Sequence, residues 1–230
     1  MHAPLPPDES ARLEALARYQ VLDSGAEKNF DDIARLAGFI CQSPIATVTL
    51  IDRNRQWLKA RVGLDVTETP RNMSFCAHTI LSSEVMVVED ATKDSRFSDN
   101  PSVTGEAHVR FYAGAPLITP DHFKLGSLCV IDRKPRTLSA EDKQALEALA
   151  RLVMTELELR RSSRELAAAL KEVKTLSGLL PICCYCKDVR DDQGYWKRVE
   201  EYVGDRTSAE FSHGLCPKCA KIHYPGIHLT

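Results

Sequence analysis

IATVTLID, residues 45–52, followed after a polar break by QWLKARV, residues 56–62, is the stretch that sets the fold class. The first run is rich in β-branched residues and alternates between apolar and polar positions, the pattern of a strand with two distinct faces. Asp52–Arg55 joins the two runs and predicts a hairpin. Upstream, Glu9–Tyr19 has helical spacing through Leu13, Leu16 and Ala17, and a second helix is expected over Phe30–Cys41. Residues 1–8 read as a disordered lead-in. Downstream, Ser74–Leu81 predicts a short helix capped by Ser74. Val85–Val88, Val109–Ile118 and Lys124–Ile131 read as further strands, and Asp90–Val103 as a polar, proline-punctuated segment with little core. The sum is an α+β fold, an antiparallel sheet with helices on one face.

A second organising stretch runs over 138–180. Leu149, Leu152, Leu159, Leu166, Leu170, Val173 and Leu180 fall on one alternating three-and-four ladder, with Glu156, Ser163 and Ser177 on its polar rungs. That is the seam of a coiled coil, and it predicts a long connecting helix that pairs in a homodimer. Ser139 offers the N-cap, with Asp142 three residues on, while Gly178 and Pro181 close the far end. The competing reading is a helix packed along its own domain. The domain plan is therefore a lead-in (1–8), a sensory domain (9–137), the helix (138–180) and a tail (181–230).

The formal net charge of -2 gives no pull toward nucleic acid or an anionic membrane. No run approaches the roughly 18 apolar residues needed to span a bilayer. The N-terminus is proline-rich and acidic, so no signal peptide is expected, and the compartment reads as cytoplasmic. Without export, the 8 cysteines point to thiols or metal ligands rather than a disulfide scaffold.

Several ordered blocks resemble the GAF domain family: IATVTLID, RQWLKARVGL from Arg55, ETPR from Glu68, SFCAHTIL from Ser74, DSRFSDNP from Asp94, RFYAGAPL from Arg110 and LGSLCVIDRKPR from Leu125. They look most like the GAF domains at the N-terminus of bacterial sensor kinases and diguanylate cyclases. The resemblance covers about residues 8–160. It implies a module that senses a small molecule or dimerises, without naming the ligand. The Asn-Lys-Phe-Asp-Glu signature of cyclic-nucleotide GAF domains is not recognisable. Bilin attachment through a Cys-His pair is disfavoured too, since Ala77 separates Cys76 from His78.

In such folds a pocket lies between the sheet and the crossing segment 74–110. Ser74, Cys76, His78, Arg96, Asp99, Asn100, His108, Arg110 and Tyr112 are the polar groups expected to converge there. Arg96 or Arg110 has the planar fork of donors that clamps an anion, or else each pairs with a nearby aspartate such as Asp94 or Asp99. Cys41, Cys76 and Cys129 read as small buried hydrophobes.

The tail carries Cys183-x-x-Cys186 and Cys216-x-x-Cys219, the spacing of a structural zinc site with four thiolates. Cys184 and His213 are alternative ligands. A redox pair or reduced thiols are the other readings. A stretch this short has too small a core to fold unaided, which a structural metal would cure. The blocks LPICCYCKDVRDDQGYW from Leu180 and AEFSHGLCPKC from Ala209 also resemble a recurrent C-terminal extension of bacterial signalling proteins. Tyr195, Trp196, Tyr202 and Phe211 are expected to pack around the knuckles.

These readings predict a non-catalytic sensory module that signals through a paired helix to a zinc tail and then to a downstream signalling protein. No kinase, cyclase or hydrolase motif is present. An enzyme that reduces free methionine sulfoxide through Cys76 is the first alternative. A zinc-ribbon nucleic-acid binder is the second, and the 7 Lys/Arg against 7 Asp/Glu of residues 181–230 weigh against it.

Overall fold

The computed structural model describes residues 3–173 (backbone alone for 171–173), 180–207 and 209–224. Two compact units divide within the long helix, one ending at Glu165 and the other starting at Leu166.

The first unit is built on β1 (Ile45–Ile51), buried at all seven residues, and β2 (Arg55–Val62), joined as the predicted hairpin. β3 (Glu68–Pro70), β4 (Met86–Val88), β5 (Phe111–Ile118) and β6 (Lys124–Asp132) complete an antiparallel sheet in the order β3-β2-β1-β6-β5-β4. The alternation of β1 divides its side chains. Ala46, Val48 and Leu50 enter one core, whereas Thr47, Thr49 and Ile51 face the other side. β3 was not foreseen, being three residues long and ending in Pro70. Proline is tolerated there because β3 is an edge strand.

On one face lie α1 (Glu9–Tyr19), α2 (Lys28–Ile40) and the first half of α5 (Ala140–Val173). Their buried residues follow helical spacing: Ala15, Leu16 and Tyr19; Phe30, Ala34 and Ala37; Leu146, Leu149, Ala150, Val153 and Leu157. Each large side chain sealed there contributes about 2 kcal/mol by area. Polar ties lock the helices down. The Tyr19 hydroxyl donates to Glu158, and the buried Lys59 ammonium donates to Ser24 Oγ (2.9 Å), the Gly25 carbonyl (2.8 Å) and Glu27.

The opposite face is covered as well, which corrects the expectation of helices on one face only. The short α3 (Cys76–Thr79) and α4 (Pro101–Thr104) lie over a smaller cluster containing Ile51, Phe75, Phe97, Val103, Tyr112 and Cys129. Phe75 stacks on Phe97 with ring centroids 4.0 Å apart. Ala91, Phe97 and Val103 are buried, so the segment 90–103 holds core after all. The sheet face beneath it is apolar and would otherwise meet water. The lead-in is also more ordered than expected: Pro6 is buried and its carbonyl accepts from the Glu9 amide (3.2 Å), while residues 1–2 lie outside the described residues.

α5 starts as predicted, with Ser139 Oγ accepting the Asp142 amide at 3.0 Å. Leu149 is spent on the domain core. Leu152, Leu159, Leu166 and Leu170 are 53–63 % exposed along one stripe. Residues 174–179, with the expected rung Ser177 and terminator Gly178, lie outside the described residues, and Leu180 is not helical.

The second unit contains a hairpin of β7 (Val189–Arg190) and β8 (Trp196–Lys197), then α6 (Val199–Gly204) and α7 (Pro217–His223). Its buried apolar residues among those described are Val189, Tyr202 and Ala220. Tyr202 is buried, with the Arg206 guanidinium over its ring. Tyr195, Trp196 and Phe211 stand about half exposed or more, correcting the aromatic-core reading.

One position tests the central register. A Cβ at Gly126 of β6 would come within 1.9 Å of the Thr49 carbonyl oxygen of β1. Gly126→Ala is expected to destabilise the fold by about 3 kcal/mol or more, read as a lowered urea midpoint at unchanged slope.

Candidate functional site

Between the sheet and the crossing segment is a cavity of about 210 Å³, lined mainly by apolar groups. The floor is the sheet face turned away from α1, α2 and α5, with Ile45 and Thr47 from β1, Gln56 and Leu58 from β2, Tyr112 from β5 and Ile131 from β6. The wall is Met73–Cys76, and Leu64, Val66, Ala107, Val109 and Arg133 ring the rest.

Of the expected pocket residues, the structure brings Ser74, Cys76 and Tyr112 to this cavity. Ser74 donates to Gln56 and accepts the Ala77 amide (3.0 Å), so it serves both the cavity wall and the helix start. The remaining candidates do not line it. Arg96 forms a fork on Asp94 (2.9 and 2.6 Å) and lies over the Phe97 ring. Arg110 donates to the Val103 and Val109 carbonyls, both at 2.9 Å. His78 meets the Phe97 ring edge-on at 4.8 Å, Asp99 and His108 are exposed, and Asn100 clips Met73 to Ser102. The anion-clamp expectation for Arg96 and Arg110 is thereby corrected. Both guanidiniums take up local acceptors, and among the described residues Arg133 is the arginine that lines the cavity.

Thr47 and Gln56 were missed, although the alternation of β1 marked Thr47 as facing away from the helices. Beneath the cavity lies a buried polar cluster. Thr47 Oγ1 is 3.0 Å from Cys129 Sγ, and the Tyr112 hydroxyl donates to Cys76 Sγ at 3.4 Å. Tyr112 also meets Thr79 Oγ1 (2.7 Å) and Ser127 Oγ (3.4 Å), and Thr49 reaches Ser127 (3.3 Å). The two sulfurs are 3.7 Å apart. Burial alone would push the Cys76 thiol up, but hydrogen bonds from Cys129, Ser127, Thr49 and Tyr112 outweigh it and draw it below the ordinary value. Cys129, bonded to Cys76 and buried, is pushed up in turn, as is the buried Tyr112 hydroxyl.

The wall Met73–Cys76 is anchored through Arg71. Its guanidinium donates to Glu9 of α1 (2.5 Å) and to the Asp52 carbonyl (3.1 Å), while Arg12 holds the same carboxylate at 2.7–2.8 Å. Partial burial works against the Glu9 charge, but the two guanidiniums win and hold its pKa at about 2.

In the tail, Cys183 pairs with Cys186, and Cys216 with Cys219. The Cys219 amide donates to Cys216 Sγ (3.4 Å) at the start of α7, and the Cys183 amide donates to the Asp188 carbonyl (2.8 Å). Backbone amides lower the Cys183 and Cys216 thiols and so favour thiolates there. Each amide-lined turn presents two thiols, a donor type that thiophilic ions take. Among the described residues, no group of three or more His, Cys, Asp or Glu is placed to hold one, so the two pairs stand as separate turns. Also among the described residues, no helix is long and apolar enough to cross a membrane.

Comparison with known proteins places these features. The GAF domain model matches residues 26–157. Over 161 residues, 70% of this chain, the sequence is 48% identical to a protein of Pseudomonas aeruginosa named a cyclic di-GMP phosphodiesterase. The match spans 27% of that protein's length. Among solved structures, the GAF domain of an Acinetobacter phosphoenolpyruvate-protein phosphotransferase is 17% identical, with a TM-score of 0.51 over 69% of this chain and 97% of that one. The free methionine-R-sulfoxide reductase of Neisseria meningitidis is also 17% identical, with a TM-score of 0.50 over 71% and 99%. At such identities they share the fold. The phosphodiesterase match overturns the expectation of a chain with no enzymatic role, because the relative is named as an enzyme.

The Glu9 clamp sets an acid limit. Its stabilisation is fully present above pH 4.5 and is lost as pH falls toward about 2. Denaturation midpoints measured across that window should fall for the native chain, and the same arm should be flatter for Glu9→Gln.

Proposed function

Because the chain belongs to the GAF domain family, we propose that it is a GAF signalling module whose cavity takes a small molecule and whose occupancy governs cyclic di-GMP hydrolysis. The observation that carries this reading is the 48% identity over 161 residues to a protein named as a cyclic di-GMP phosphodiesterase. The cavity of about 210 Å³ supports a small and largely apolar ligand, held by Gln56, Ser74 and Thr47 at its polar edge. A ligand that prefers one arrangement of the wall Met73–Cys76 biases the unit by no more than its differential affinity for the two arrangements.

The exposed stripe Leu152, Leu159, Leu166 and Leu170 supports a second copy of the chain as partner, paired along α5. Leu36 and Phe39 of α2, 50% and 80% exposed, add apolar surface to the same unit. The tail is a structural zinc module in this reading, with Cys183, Cys186, Cys216 and Cys219 as ligands. What supports it is the small core, which leaves the unit short of burial without a metal. Bound there, zinc would supply folding free energy, and four sulfurs leave no open position for hydrolysis. A downstream signalling protein receives the output.

Two measurements test this. Conversion of cyclic di-GMP to the linear dinucleotide is followed for the chain alone and for the Pseudomonas phosphodiesterase with and without it. A rate change of at least about threefold is expected in one arrangement and its loss on Val66→Trp, which plugs the cavity from an exposed position. No hydrolysis alone and no effect in the mixture would sink the reading. Elemental analysis combined with light scattering should give roughly one zinc per chain and a dimer. Cys183→Ser with Cys216→Ser should remove the metal, and Leu159→Asp with Leu166→Asp should give monomers.

A further inference from the structure

Cys76 lies on α3 and Cys129 on β6, 53 positions apart, yet their sulfurs are 3.7 Å apart, Cys76 on the wall of the cavity and Cys129 buried beside it. Each sulfur has its own hydroxyl neighbour, Tyr112 for Cys76 and Thr47 for Cys129. A pair of thiols serving only as small hydrophobes has no use for this ring of hydroxyls, since buried hydroxyls cost free energy unless they are partnered. The ring favours charge on Cys76, the sulfur that lines the cavity. Cys41 is the contrast. It lies in the helical core, where burial and then the charge of Asp142 push its thiol up to about 11.

We propose that Cys76 and Cys129 form a redox dithiol, oxidised to a disulfide by hydrogen peroxide that enters the cavity. The Cys76 thiolate attacks one peroxide oxygen, the O–O bond breaks, and the departing oxygen leaves as water after protonation. Cys76 is then a sulfenic acid. The Cys129 sulfur attacks it, the S–O bond breaks, and the hydroxide leaves as water with the Cys129 proton. Two thiols give up two electrons and two protons, and hydrogen peroxide becomes two waters. Closing the 3.7 Å gap to the roughly 2.05 Å of an S–S bond draws α3 toward β6 by up to about 1.7 Å. Phe75 and the wall Met73–Cys76 move with it, so oxidation reshapes the cavity. The oxidation rests on this geometry alone. Its use as an input rests on the sensing role proposed above, and peptide mapping tests the first without the second.

The full chain is treated with hydrogen peroxide, alkylated in denaturant and digested without reduction, and its peptides are identified by mass spectrometry. A Cys76–Cys129 linked peptide should accumulate at least about tenfold faster than any oxidation of Cys41. Cys129→Ser should hold Cys76 as a sulfenic acid that dimedone captures, and Cys76→Ser should leave position 129 unreacted. The wild-type map stands by itself if either variant fails to fold. The proposal is overturned if Cys76 and Cys129 remain free thiols in the folded chain while the tail cysteines oxidise. It is equally overturned if the link forms only after denaturation.

Discussion

Strand β1 is covered on both faces, and the rest of the GAF unit follows from that constraint. A strand buried at every residue must satisfy two environments at once, and the two-residue period of the backbone lets it do so. Ala46, Val48 and Leu50 are small enough to let α2 and α5 settle on the sheet. Thr47 and Thr49 carry hydroxyls into the other layer, where they meet Cys129 and Ser127 of β6. Shifting β1 by one residue against β6 would put the threonines under the helices and the aliphatic side chains among the hydroxyls. The register is therefore fixed from both sides.

The second layer could have been closed with aliphatic side chains, as the first is. Instead it holds five hydroxyls and two thiols, on Thr47, Thr49, Thr79, Tyr112, Ser127, Cys76 and Cys129, each bonded within the cluster. A closed network of this kind is worth little net free energy, yet breaking one member leaves its partners unpaired in low dielectric. Such an arrangement is retained for specificity or chemistry more readily than for stability. Its position directly under the cavity ties it to whatever the cavity does.

Much of this was legible in sequence because it is local. The helix Glu9–Tyr19, the Ile45–Val62 hairpin and the Ser139 cap depend on short-range pattern, and the structure has them. What depended on long-range packing was hidden. Cys76 and Cys129 read as unrelated buried residues, because nothing in the spacing reveals that α3 lies across β6. Arg96 and Arg110 were left between clamping a ligand and pairing with a nearby aspartate, because sequence does not show whether a guanidinium finds its acceptor among its own neighbours; Arg96 takes Asp94. Phe97 was hidden in a polar, proline-containing segment whose few apolar residues face a sheet that the sequence does not display.

α5 shows how one helix serves two periodicities. Its buried set from Leu146 to Leu157 follows the wide stripe of a helix on a sheet, while Leu152, Leu159 and Leu166 repeat every seventh residue on a different side. Leu149 belongs to both patterns in sequence, and the sheet claims it. The seam therefore begins only at Leu152 and passes Glu156, which is bonded to Asn29 of α2. A polar rung already engaged with its own domain makes a poor lock for a partner helix. In the pairing proposed above, contact would therefore be weakest nearest the sheet.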